Sequence, residues 1–145
     1  MTPYIPPFAS LKFVQSTTFG EPIANGAGAI PQYPSVEKWN NLEPAFGPAG
    51  EFVAPCDGLY SFNTSANLDL PGGGFFDVSI EDTARGESFS GRGGGADLVP
   101  AKCSTTLKLK EGDTVRRLIS LYNATADGQV RQDPGTNFYE ITYRP

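Results

Sequence analysis

Residues 59–70 alternate without interruption. Tyr60, Phe62, Thr64, Ala66, Leu68 and Leu70 fall on one side, and Leu59, Ser61, Asn63, Ser65, Asn67 and Asp69 on the other. In extended backbone successive side chains point to opposite faces, so the first set makes an apolar face and the second a mostly polar one. Wound as a helix, both sets would be spread around every side. The stretch therefore reads as a half-buried strand, and a chain built around such a strand must supply partners for both of its edges.

The rest of the sequence supplies them. Pro55, Asp57 and Gly58 form a turn just before the run, with proline fixing φ and glycine taking the position open to positive φ. Pro71–Gly74 ends it. Phe76, Val78 and Ile80 then alternate with Asp77, Ser79 and Glu81, and Thr105, Leu107 and Leu109 alternate with Thr106, Lys108 and Lys110. Glu111–Asp113 is a tight turn into an apolar run, Val115–Tyr122, which reads as a central strand with a bulge at Arg116 and Arg117. Glu51–Ala54 and Phe138–Tyr143 complete the set. The glycine-rich residues 86–95 and the polar residues 124–135 read as loops. No span has helical periodicity. Glycine and proline together make about a fifth of the 145 residues, as expected of many short strands joined by turns. The fold class is all-β, with sandwich, jelly roll and barrel all open at this point.

The first 50 residues differ in character. They hold eight of the 13 prolines and only two basic residues, Lys12 and Lys38. Proline removes ladder donors, so this part is expected to be an irregular arm or flap over residues 1–49, packed on a domain of residues 50–145. Leu11–Thr17 reads as a first strand, Asn25–Ala29 as a glycine-rich loop, and Trp39, Leu42 and Phe46 as residues that fold back on the main body. An extended arm can lie across a partner, which makes Tyr4, Ile5 and Phe8 candidate partner-binding residues. It can equally cover an edge of its own domain.

Chemistry is sparse. There is no histidine, which removes Ser-His-Asp and Cys-His arrangements, the commonest zinc ligand and the usual metal site of a cupin. Cys56 and Cys103 have no metal-ligand spacing. Gly91–Gly95 with Arg92 lacks the Lys-Ser/Thr pair and following helix of a phosphate loop. Asp77, Glu81 and Asp82 lie close enough to weigh as a calcium site, but the solvated face of a strand looks the same. No feature marks a carboxylate pair for glycoside hydrolysis. Arg116, Arg117, Lys102, Lys108 and Lys110 form the most basic stretch and read as a solvated face. The net charge of −5 offers no footprint for nucleic acid. No apolar run approaches the roughly 20 residues of a membrane helix, and the N-terminus has no leader pattern, so a secreted role is not expected. Neither an enzyme, a cofactor nor a bound metal is expected.

Gly50-x-Phe52-x-Ala-Pro55-x-x-Gly58-x-Tyr60-x-Phe62 resembles the start of the globular head of complement component one-q, in the tumour-necrosis-factor superfamily. Leu107-x-Leu109-x-x-Gly112-Asp113-x-Val115 is similar to that family's paired strands and Gly-Asp turn, and Thr136-x-Phe138-x-x-Ile141 to its last strand. Glu140 stands where the family usually has glycine, and no collagen-like Gly-x-y stalk is present. The resemblance implies a jelly roll of two antiparallel sheets and a compact homotrimer packed through aromatic side chains, for which Tyr60, Tyr122, Phe138, Tyr139 and Tyr143 are the candidates. It also sets the cysteines at opposite ends of two antiparallel neighbours, too far apart for a disulfide. With no leader and no stalk, the expected role is structural: a bacteriophage virion protein, either capsid-decorating (cement) or a tail appendage, with another virion protein as partner. The alternative is a free-standing receptor- or glycan-binding module.

Overall fold

The computed structural model describes residues 9–15, 22–24, 30–31, 36–42, 46–47, 50–94 and 99–145. It is an antiparallel jelly-roll sandwich with no helix among the described residues. The strands run in chain order as β1 (Ser10–Val14), β2 (Pro22–Ile23), β3 (Ile30–Pro31), β4 (Val36–Asn40), β5 (Phe52–Val53), β6 (Gly58–Ala66) and β7 (Leu68–Asp69). There follow β8 (Phe75–Asp82), β9 (Glu87–Gly94), β10 (Ala101–Leu109), β11 (Thr114–Tyr122), β12 (Gly128–Val130) and β13 (Phe138–Arg144). The first sheet has the order β10-β6-β13-β1-β4. The second has the order β3-β11-β8-β9, with β5 also pairing β11. A small third sheet, β2-β12-β7, closes one end.

The alternation of residues 59–70 decides the interior. Tyr60 and Phe62 on β6, Leu11 on β1 and Tyr139 and Ile141 on β13 face the second sheet's Phe76, Val78, Ile80, Val115 and Ile119, all of them buried. Phe52 sits at the centre, edge-on to both Tyr60 (5.5 Å) and Phe62 (5.6 Å).

Several expectations change. The run from Leu59 to Leu70 is two strands, because the backbone leaves the ladder at Asn67. There the Asn67 N–H donates to Asn137 Oδ1 (2.8 Å) and the Asn67 carbonyl accepts from Arg131 N (2.9 Å), so the chain crosses from the first sheet to the third. Residues 86–95 are largely strand β9, in register with β8 from Phe75↔Gly94 to Asp82↔Glu87. Their glycines serve a close approach. A Cβ on Gly91 would lie 1.7 Å from the Lys102 carbonyl oxygen, and one on Gly93 would lie 2.5 Å from the backbone of Ala101 and of Val99. Only bare backbone lets β9 of the second sheet cross β10 of the first, where Cys103 Sγ donates to the Phe89 carbonyl (3.2 Å) and seals that side of the sandwich. Residues 124–135 include β12.

β11 carries no bulge: its register with β8 is continuous from Val115↔Asp82 to Tyr122↔Phe75. Arg117 consequently points inward, not to solvent, and is 4% exposed. Its Nε donates to Thr64 Oγ1 (2.6 Å) and its Nη2 to the Ser65 carbonyl (2.9 Å), which ties the two sheets together through β11 and β6. Burial pushes its guanidinium down to about 10, still protonated at neutral pH.

The expected boundary at residue 49 does not describe the sheets. β1 is an interior strand of the first sheet, between β13 and β4, and Leu11 is completely buried. Leu42 is in the core, and Phe46 packs edge-on to Phe13 (5.2 Å). The prolines had argued against regular structure here. Yet within the described part of this segment Pro22 and Pro31 sit in β2 and β3, both edge strands, where a missing donor costs no ladder bond. Tyr4, Ile5 and Phe8, and the expected loop Asn25–Ala29, lie outside the described residues.

Cys103 pairs with Thr64 while Gly58, two residues after Cys56, pairs with Leu109. Six strand residues, about 20 Å at 3.3 Å each, therefore separate Gly58 from the partner of Cys103. Both thiols are free.

Candidate functional site

The five residues expected at a subunit contact divide into two groups. Tyr60 (0% exposed), Tyr139 (1%) and Tyr143 (7%) belong to the protomer's own interior and present almost no surface to a second copy. Strand parity is the reason: on β13 residues 139, 141 and 143 face inward, leaving Phe138, Glu140, Thr142 and Arg144 outward. The Tyr60 hydroxyl donates to the Cys56 carbonyl (2.6 Å), and its ring lies 5.2 Å from that of Tyr143. Burial raises the Tyr60 and Tyr139 phenols well above their ordinary value, reinforced at Tyr60 by the Cys56 side chain and opposed at Tyr139 by Arg117.

Phe138 and Tyr122 reach the surface, on opposite faces of the sandwich, so they do not form one patch. Phe138 belongs to a row crossing three strands of the first sheet. Lys12 on β1 lies in register with Trp39 on β4 and with Glu140 on β13. Its ammonium sits 5.0 Å from the Phe138 ring centre and 5.6 Å from that of Trp39. Trp39, 43% exposed, donates from Nε1 to Ser10 Oγ (2.9 Å), which fixes the indole against the sheet. Farther along the same face short polar side chains stand among the charged Lys102, Lys108, Glu140 and Arg144. Ser61 and Thr106 hydroxyls meet at 2.9 Å, Ser104 donates to Asn63 Oδ1 (3.0 Å), and Leu59 is exposed beside them. The face has an aromatic and cationic end and, beyond it, hydroxyls interspersed with charged side chains. Trp39 and Lys12 were missed as site residues because only the β1–β13 and β1–β4 registers, set by contacts distant in sequence, bring them beside Phe138.

The carboxylates weighed for calcium are each directed to an arginine. Asp77 Oδ1 accepts from Arg92 Nε (2.9 Å), Glu81 pairs with Arg116, and buried Asp82 accepts from Arg85 Nη1 (2.9 Å). No group of three or more metal-ligating side chains occurs among the described residues.

Solved structures share this arrangement. Eiger, a TNF from S. frugiperda, superposes with a TM-score of 0.58 at 16% identity, covering 97% of this chain and 94% of that one. The globular domain of zebrafish complement 1qA gives 0.58 at 16% identity, covering 95% and 94%. The vertex protein P5 of PRD1 gives 0.59 at 14%, covering 93% and 94%.

The fold is a tumour-necrosis-factor-like jelly roll.

Neither a family model nor a curated protein matches the sequence. At these identities the likeness is one of fold. The tumour-necrosis-factor-like fold takes in β1 and β4 as well as the region after Gly50 where the sequence motifs lie, since the matches cover more than nine-tenths of the chain.

Proposed function

We propose that this chain is a non-enzymatic assembly protein. It forms a homotrimer and is carried on a bacteriophage virion, as a capsid-decorating protein or a tail appendage, where it binds another virion protein. The observation that carries the reading is the outer face of the first sheet: Trp39, Lys12 and Phe138 form an aromatic and cationic cluster on the adjacent strands β4, β1 and β13. In a threefold ring every contact is heterologous, so this cluster meets a different surface of the neighbouring copy. Aromatic side chains bury large areas for little conformational entropy and serve as anchors of such contacts. The vertex protein of PRD1 supports the virion setting through its shared fold.

The test is a pair of outward-facing variants, Phe138→Asp and Trp39→Ala, in the full chain. Both are expected to keep the far-ultraviolet spectrum and cooperative unfolding of a folded β protein while losing self-association and co-sedimentation with virus particles. Variants that self-associate and co-sediment like the parent chain would overturn this assignment of the contact.

A further inference from the structure

The second sheet carries a separate ledge. At one end of its outer face the Tyr122 and Phe75 rings stack at 5.3 Å and 26°. The Arg92 guanidinium lies 4.3 Å from the Phe75 ring centre and is held by Asp77 through Nε to Oδ1 (2.9 Å) and Nη2 to Oδ2 (3.4 Å). Three planar groups and a carboxylate thus form one row across β11, β8 and β9. Tyr122 is 38% exposed despite its size. Backbone economy keeps the row in place. Gly74 and Gly94 adopt positive φ, and a Cβ on Gly74 would lie 2.3 Å from the Tyr122 carbonyl oxygen.

The ledge runs into a cleft. Leu70 Cδ1 would meet a Cβ on Gly94 at 3.2 Å, and its Cδ2 would meet one on Gly128 at 3.3 Å, so one side chain spans from ledge to cleft. The cleft is open, about 820 Å³, and is lined by Pro22, Leu70 and Pro71 together with Asp69, Asp127 and Gln129. The turn after β7 and the segment after β11 are pinned together by Thr125 N donating to the Gly72 carbonyl (3.0 Å), and Arg131 holds Asp69 at 3.2 Å.

We infer that this ledge and cleft form a binding site for a neutral hexopyranose oligosaccharide. A pyranose ring has an apolar C–H face and an equatorial rim of hydroxyls. The exposed Tyr122 ring, backed by Phe75, takes the first. A guanidinium and a carboxylate already fixed by each other take adjacent hydroxyls on the second, as donor and acceptor, with little further loss of freedom. The continuation into a cleft of mixed apolar and polar lining fits a chain of sugars rather than one. Asp69, Asp127 and Asp77 outnumber the basic groups around it, which favours neutral sugars over sialylated or uronic ones. The site lies on the other face of the sandwich from the Trp39–Lys12–Phe138 cluster and does not rest on the self-association proposed above.

The experiment is a nitrogen–proton correlation titration of the full chain with maltohexaose, mannohexaose and galactohexaose, and with sialyllactose as the anionic comparison. At least one neutral hexamer is expected to shift the amides of Leu70, Phe75, Arg92 and Tyr122 saturably. Tyr122→Ala and Asp77→Asn should each weaken that binding at least about tenfold, with Tyr122→Phe retaining it and all three variants keeping the parent's mass in solution. The inference is overturned if no neutral hexamer shifts these amides, if sialyllactose alone does so, if the shifts map elsewhere, or if Tyr122→Ala binds as tightly as the parent.

Discussion

Replacing Gly91 by alanine tests the joint that closes the sandwich. The new Cβ would stand 1.7 Å from the Lys102 carbonyl oxygen and 2.7 Å from its carbonyl carbon. A carbon–oxygen contact relaxes at about 3.3 Å, so β9 and β10 would have to part by roughly 1.6 Å. Neither side can yield cheaply. Gly91 is laddered to Val78 on β8 and Lys102 to Ser65 on β6, so any movement strains a sheet and pulls the Cys103 thiol from the Phe89 carbonyl. Overpacking of a tight site costs about 1–3 kcal/mol, and a backbone-on-backbone clash belongs at the upper end, about 3 kcal/mol or more. At this length that lowers the thermal midpoint by roughly 6–12 °C, read at one fixed protein concentration because association also moves it. Ser90→Ala, on the same strand with its side chain in solvent, should stay within about 0.5 kcal/mol of the parent. A Gly91→Ala midpoint equal to that of Ser90→Ala would refute the close crossing and restore residues 86–95 as a loop.

Asn137→Ala removes an acceptor for the Asn67 N–H and the donor to the Arg131 and Asp133 carbonyls, all at a residue that is fully buried. Urea unfolding should show a loss of about 3 kcal/mol, and a loss below about 1 kcal/mol would contradict the role given to Asn137. Alkaline pH should unfold the protein in a defined direction. The Tyr60 and Tyr139 phenols are held above the unfolded value of about 10, so the native state binds more protons than the unfolded one above that pH, and stability present below about pH 10 falls as pH rises further. Tyrosinate absorbance should accordingly stop short of six equivalents until the circular dichroism collapses, and six equivalents in a folded protein would contradict the burial. Intact mass should be the same with and without reductant. Cys103, buried and with its thiol pushed up by burial, should alkylate at least about tenfold more slowly than half-buried Cys56 in the native state. Equal rates would contradict that difference, and a mass gain of two hydrogens on reduction would contradict the strand register.

Much of the fold was legible because period-two patterning reports directly on which face is buried. The strands β6, β8 and β10 stand close to where alternation put them, β11 follows the apolar run Val115–Tyr122 and β13 the last motif, and the ordered motifs from Gly50 to Ile141 pointed to the correct architecture. What the pattern could not show was where a ladder stops. The alternation passes through Asn67 undisturbed, yet the chain changes sheets there because Asn137, seventy residues later, caps its backbone. Glycine-rich β9 has too few side chains to show a period, and its glycines read as flexibility when they mark a crossing. Arg117 looked solvated because a charged residue usually is, while its parity with Val115 and Ile119 pointed inward. The candidate surface was half legible. Phe138 could be named from the last strand's motif, while Tyr60, Tyr139 and Tyr143, candidates for the subunit contact through the family resemblance, are turned into the protomer's core by strand parity. Trp39 and Lys12 join Phe138 only through registers set by tertiary pairing.

Self-association is the central claim, and mass in solution tests it most directly. Light scattering or sedimentation equilibrium on the full chain at several concentrations should give a species of three times the 15.5 kDa protomer mass, returning toward one protomer with Phe138→Asp. A chain that stays at 15.5 kDa across the whole range would contradict the claim.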